Sequence, residues 1–158
     1  MLLPIVFSLL CISSPATEVD LTQLAPEAAS AILKQQSSTT NAAEWQVLGM
    51  LYHAHALEEA AIEAYKRAAK LKDMPKTNYL LGVALARIGK YEEAINSVST
   101  IPSYLPAIWQ QGYWNLDLGN FDTAMVMFTS AIKEDKNCVA AIVGLARVHH
   151  ATNNSRKT

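Results

Sequence analysis

Four histidines, two glutamate pairs and two cysteines are the side chains of this chain with the clearest chemical potential. His53 and His55 flank Ala54, and His149 adjoins His150. Neither spacing is the i, i+4 pair that sets two imidazoles on one helix face for a metal, and no cysteine or carboxylate cluster joins them. Near a helix end an imidazolium favours the negative end of the dipole, which is a structural role. Glu58-Glu59 and Glu92-Glu93 have the adjacent carboxylates that acid-base chemistry uses. They fall, however, at matching places where helices start, and read as solvated capping charges. Cys138 has no neighbouring base to make a thiolate nucleophile. These residues therefore predict no catalytic centre, no metal site and no cofactor.

The elements that hold these residues must be built from an apolar chain. It has 158 residues, 51% of them hydrophobic and 17% charged, with a net charge of −1. That balance excludes a disordered segment and a polybasic nucleic-acid binder. The length suits one folded unit. Two cysteines make no disulfide framework.

A repeat then organises the sequence. Gly49, Gly82, Gly112 and Gly144 each sit inside an apolar helical pattern, spaced 33, 30 and 32 residues apart. Small residues recur after the first three, first as Ala56, Gly89 and Gly119, then as Ala61, Ala94 and Ala124. An aromatic or branched residue follows in each unit, Tyr65, Val98 and Phe128, with Ala68, Ile101 and Ala131 three residues later. Such a pattern has a physical reason, because two antiparallel helices approach closely only where one presents little side chain.

In Trp45, Leu48, Gly49, Tyr52, Ala61, Tyr65 and Ala68 the first unit resembles the tetratricopeptide repeat, whose period is about 34 residues. The second unit keeps Leu81, Gly82, Ala94 and Pro106, and the third Gly112, Gly119, Ala124, Phe128 and Ala131. The resemblance covers residues 42–150 and implies an all-α fold. Its form would be a right-handed solenoid of antiparallel helix pairs, about three units and a terminal half-repeat helix. Asn41 with Glu44 predicts a capping box for the first array helix. Pro75 and Pro106 open two more helices, and Asn137 caps the last. Pro102 interrupts the second unit, so its second helix should be short, near residues 91–100. Upstream, residues 17–41 hold a helix over Ala25 to Gln36 and a linker.

The resemblance also implies a binding face on the first helix of each pair. Its positions are Gln46, Met50 and His53 in unit one, Lys76, Tyr79, Val83 and Ala86 in unit two, and Trp109, Tyr113 and Leu116 in unit three. Heat-shock co-chaperones of the family grip peptide carboxylates with Lys and Asn there. Gln46, Met50 and Tyr79 stand in those places here, which implies a peptide with apolar anchors instead. The implied function is a non-enzymatic scaffold for a peptide or partner subunit, in an exported or envelope assembly of the secretion or pilus type. The alternative is a cytoplasmic chaperone for an apolar segment of a secreted subunit, like the three-repeat secretion chaperones. A third reading is a subunit whose chemistry lies on a further C-terminal part.

The two ends carry the remaining expectations. Met1 to Ile12 is apolar except for Ser8, and Ser14 and Ala16 stand as a small-residue cleavage site, so residues 1–16 read as a signal peptide that lacks a basic n-region. Its removal leaves no membrane-spanning segment and an exported chain; its retention means a cytoplasmic one. At the other end, Val139, Ile142, Val143, Leu145 and Val148 make the last helix apolar nearly all round, and residues 151–158 form a polar tail. That helix is expected to form a homodimer, to dock a partner, to lie inside a longer array, or to be covered by the N-terminal segment.

Overall fold

The computed structural model describes residues 19–155, and the expected signal peptide, residues 1–16, lies outside them. Eight helices and no strand occur among the described residues: α1 (Pro26–Ser38), α2 (Ala42–Ala54), α3 (Glu58–Leu71), α4 (Pro75–Arg87), α5 (Tyr91–Ser99), α6 (Leu105–Asp117), α7 (Phe121–Glu134) and α8 (Val139–Ser155). The pairs α2 with α3, α4 with α5 and α6 with α7 form three hairpins, each packed on the next. Helix α1 covers α2 at the front, and α8 packs on α6 and α7 at the back. The chain is thus an all-α array of stacked helix pairs.

Local chemistry explains the helix boundaries. Asn41 Oδ1 accepts the Glu44 N–H at 3.1 Å and Glu44 Oε2 accepts the Asn41 N–H at 3.1 Å, completing the capping box of α2. Bonds from Thr40 and Asn41 hold the Glu44 carboxyl below its ordinary pKa, the Thr40 backbone contributing most. Prolines stand in the first turn of α1, α4 and α6, where a missing N–H costs nothing. Ala56, Gly89 and Gly119 all take positive φ in the turn after the first helix of each pair. The residue after each turn closes back: the N–H of Leu57, Lys90 and Asn120 donates to the carbonyl of Tyr52, Leu85 and Asn115. Three turns of one geometry make three hairpins of one shape. In the second, α5 stops at Ser99 ahead of Pro102, leaving a helix of 9 residues.

The small residues are where helices touch. A Cβ on Gly49 would fall 2.5 Å from the Tyr65 ring, and one on Gly112 2.5 Å from the Phe128 ring, both inside van der Waals contact. Ala61, Ala94 and Ala124 are fully buried. Leu48, Tyr65, Leu85, Val98 and Trp114 form one core, and Phe128, Ala141 and Val148 belong to a second under α8.

The last helix departs from the sequence pattern in four ways. First, α2, α4, α6 and α8 start at residues 42, 75, 105 and 139, so they stand 33, 30 and 34 apart. Counted from those starts, Gly49, Gly82 and Gly112 are each eighth in their helix, whereas Gly144 is sixth and Ala146 is eighth. Gly144 is therefore not the fourth copy of the repeat glycine; its Cβ would meet the Phe128 ring of the preceding unit. Second, Asn137 does not stand next to the helix, which begins at Val139, and its N–H donates to Asp135 Oδ1 at 2.9 Å. Third, no tail starts at residue 151, because α8 continues through Ser155. Fourth, Val148 is fully buried and Leu145 partly so against the second core, so neither belongs to an open surface. Helical geometry turns them inward: Ala141, Leu145 and Val148 share the face laid on unit three.

Candidate functional site

Helices α2, α4 and α6 supply all of the expected face. Gln46, Tyr79 and Trp109 are each the fifth residue of their helix, and Met50, Val83 and Tyr113 each the ninth. Equal numbering on parallel-stacked helices lines them up from unit to unit. Met50 is 40% exposed and Lys76 is exposed, while Val83, Ala86, Trp109 and Leu116 are half-buried. The lining is apolar and aromatic, with Lys76 its one fixed charge.

Several of these side chains also join one unit to the next. Gln46 Oε1 accepts from the buried Thr77 hydroxyl at 2.7 Å, linking α2 to α4. Tyr79 meets Tyr104 edge to face at 5.5 Å. Burial, and then the neighbouring Tyr104, pushes the Tyr79 phenol above its ordinary pKa. Trp109 packs edge to face on Tyr113 at 6.1 Å, and Tyr113 on Phe128 at 4.9 Å. The Tyr113 hydroxyl donates to the Ala140 carbonyl of α8 at 2.8 Å, and Arg147 lies over its ring at 5.7 Å. Tyr113 therefore holds α8 in place, whereas Met50, Lys76 and Trp109 leave surface for a ligand.

His53 belongs to an ionic cluster that sequence reasoning missed. Its Nδ1 lies 3.0 Å from Glu58 Oε2, and Arg87 Nε lies 2.8 Å from Glu58 Oε1. Arg87 Nη1 reaches His53 Nε2 at 3.3 Å. A guanidinium only donates, so in that contact Nε2 is the accepting nitrogen. Glu58 is 8% exposed and is thus not the solvated capping charge expected of it. Glu59, Glu92 and Glu93 are exposed, with Glu93 paired to Lys90 at 3.0 Å. Two partners from different helices pull Glu58 inward, because a buried carboxylate needs compensation. Arg87, the thirteenth residue of α4, lies one position after Ala86 of the expected face; that adjacency was the available signal.

Among the described residues no group of three or more His, Cys, Asp and Glu is placed to hold a metal ion. Cys138 is a free, buried thiol. No helix among those residues is long and apolar enough to cross a membrane.

This geometry agrees with comparisons to known proteins. A family model described as tetratricopeptide repeat matches residues 45–73. No curated protein matches the sequence. Among solved structures, the first repeat domain of Spaghetti (RPAP3), bound to the HSP90 peptide SRMEEVD, superposes with a TM-score of 0.66 at 19% identity, over 72% of this chain and 94% of that one. The Sgt2 repeat domain from Aspergillus fumigatus gives 0.68 at 18% identity, over 76% and 84%. MamA gives 0.63 at 18%, over 82% and 89%. The chain has the stacked-pair solenoid fold of those structures, and its residues 45–73 match the tetratricopeptide-repeat model.

Proposed function

We propose that the chain is a non-enzymatic scaffold that binds a peptide or partner subunit along the face of α2, α4 and α6. The observation that carries this reading is the row of fifth and ninth residues on three consecutive first helices: Gln46, Met50, Tyr79, Val83, Trp109 and Tyr113. One of the compared structures, the Spaghetti domain, is bound to an HSP90 peptide that ends in Glu-Val-Asp. Here no carboxylate stands among the lining positions, and Lys76 is the one fixed positive charge for a ligand's carboxylates to meet. Apolar anchors suit this lining better than an acidic C terminus.

The setting we propose is an exported or envelope-associated assembly, on the strength of Met1 to Ala16. Fluorescence anisotropy with labelled 12-residue peptides tests the binding reading, one set carrying Leu and Phe anchors and one ending in acidic residues. Anchored peptides are expected to bind and acidic ones to bind no better than a scrambled control. Trp109→Ala should weaken anchored binding by about 1 to 3 kcal/mol with helix content unchanged. Preference for the acidic peptides would refute the reading. Intact mass after expression tests the setting: loss of the first 16 residues supports export, whereas retention favours the cytoplasmic chaperone.

A further inference from the structure

The row of fifth and ninth residues continues past α6. Counted from Val139, these positions in α8 are Val143 and Arg147, where α6 has Trp109 and Tyr113. Four residues apart, Val143 and Arg147 share one face of their helix. That face is turned to the same side as Tyr113, because the Arg147 guanidinium lies over its ring at 5.7 Å. Trp109 packs edge to face on the same ring at 6.1 Å. Val143 and Arg147 are exposed, and Trp109 and Tyr113 are half-buried. Two aromatic rings, a valine and a guanidinium thus extend the face of α2, α4 and α6 by one helix. Arg147 is the one charged residue at the fifth and ninth positions of the four first helices.

Arg147 also differs from the other two arginines among the described residues. Arg67 lies over the Trp45 ring at 4.8 Å, and its Nε meets Glu63 Oε1 at 3.0 Å. Arg87 Nε meets Glu58 Oε1 at 2.8 Å. Arg147 has the aromatic floor but, among the described residues, no carboxylate. Its own helix offers none, since residues 138–158 contain no Asp or Glu, and the one acid of α6, Asp117, stands a turn beyond Tyr113. A cation–π contact engages the charge of a guanidinium and leaves its N–H fork open to a planar acceptor.

We propose that Arg147 receives an acidic side chain of the bound segment, an Asp or Glu flanked by apolar residues that rest on Trp109 and Val143. This assignment rests on the peptide-binding reading and adds the ligand's charge to it. One cation in an apolar surround matches one carboxylate. A run of carboxylates would set uncompensated charge against the rings and the valine, at a desolvation cost. A single charge pair at one end of an otherwise neutral row also fixes the register in which the segment lies.

The probes are fluorescein-labelled, C-terminally amidated 12-residue peptides with Leu and Phe anchors, carrying Glu or Gln at each place beside the anchors in turn. In anisotropy titrations with the full chain, at least one Glu peptide should bind about fivefold tighter than its Gln partner, and high salt should narrow the gap. Arg147→Gln should bring that Glu peptide down to the affinity of the Gln peptide, with circular dichroism unchanged. If anchored peptides bind but Glu gives no gain, or the gain survives Arg147→Gln, the proposal is overturned and the peptide-binding reading stands. A merely structural Arg147 would weaken Glu and Gln peptides alike, which overturns the proposal too. If no anchored peptide binds, both readings fall. Gln peptides left unamidated supply the last arm: a gain that needs their free C terminus would put a chain end on Arg147 and overturn the side-chain assignment.

Discussion

Gly144→Ala is the substitution whose sign is decided by tertiary structure. On an isolated helix it stabilises by about 0.5 to 1 kcal/mol, since glycine gives up more backbone freedom than alanine. In the fold, the new methyl would meet the Cε1, Cζ and Cδ1 atoms of Phe128, all inside 3.0 Å. The ring has little room to yield. It is fully buried, a Cβ on Gly112 would crowd the same edge at 2.5 Å, and Tyr113 packs on it at 4.9 Å. Helix α8 must therefore move away, loosening the Tyr113 bond to Ala140. Overpacking of this kind costs about 1 to 3 kcal/mol, so after the helical gain the net loss is about 0 to 2.5 kcal/mol. Urea unfolding followed by circular dichroism measures it, and hydrogen exchange should place the loss in α8, which neighbour contacts with α6 and α7 hold in place. Phe128→Leu should make room for the methyl, so the double variant should lose at least about 1 kcal/mol less than the sum of the single ones. A Gly144→Ala protein more stable than the parent would show that α8 does not sit on Phe128, and would refute the packing described for the last helix.

Tyr65 offers a stabilising change. Its hydroxyl is buried without a hydrogen-bond partner, and Phe128 occupies the matching position in unit three. Tyr65→Phe should add about 1 kcal/mol, the desolvation cost of the unpaired group. Burial, reinforced by the Glu58 charge, also pushes the Tyr65 phenol above its ordinary pKa of 10.0. The folded state then holds its proton when the unfolded state has lost it, so stability falls as pH rises above about 10. Urea midpoints between pH 9 and 11 should decline less steeply for Tyr65→Phe; an equal slope would count against the burial argument. Ala56 has φ of 57°, in the turn where Gly89 and Gly119 have 79° and 77°. Ala56→Gly should gain, and Gly119→Ala lose, about 0.5 to 1 kcal/mol by thermal unfolding.

The repeat was legible in the sequence because close helix contact leaves a mark that spacing preserves. Gly49, Gly82 and Gly112, the alanines twelve residues later and the turn residues between them define each hairpin locally, and Asn41 with Glu44, Pro75 and Pro106 mark helix starts by backbone chemistry alone. What only the tertiary structure decided lies between units. Glu58 is buried because Arg87, far along the chain, and His53 converge on it, and no local pattern encodes that meeting. Tyr113 was readable as an aromatic on the first helix of unit three, but its bond to the Ala140 carbonyl depends on where α8 comes to rest. Gly144 continues the glycine rhythm, yet a helix's phase is set by which stripe it buries. Ala141, Leu145 and Val148 turn inward on unit three, and that packing shifts the register of α8 by two residues and leaves Ile142 and Ala146 facing out.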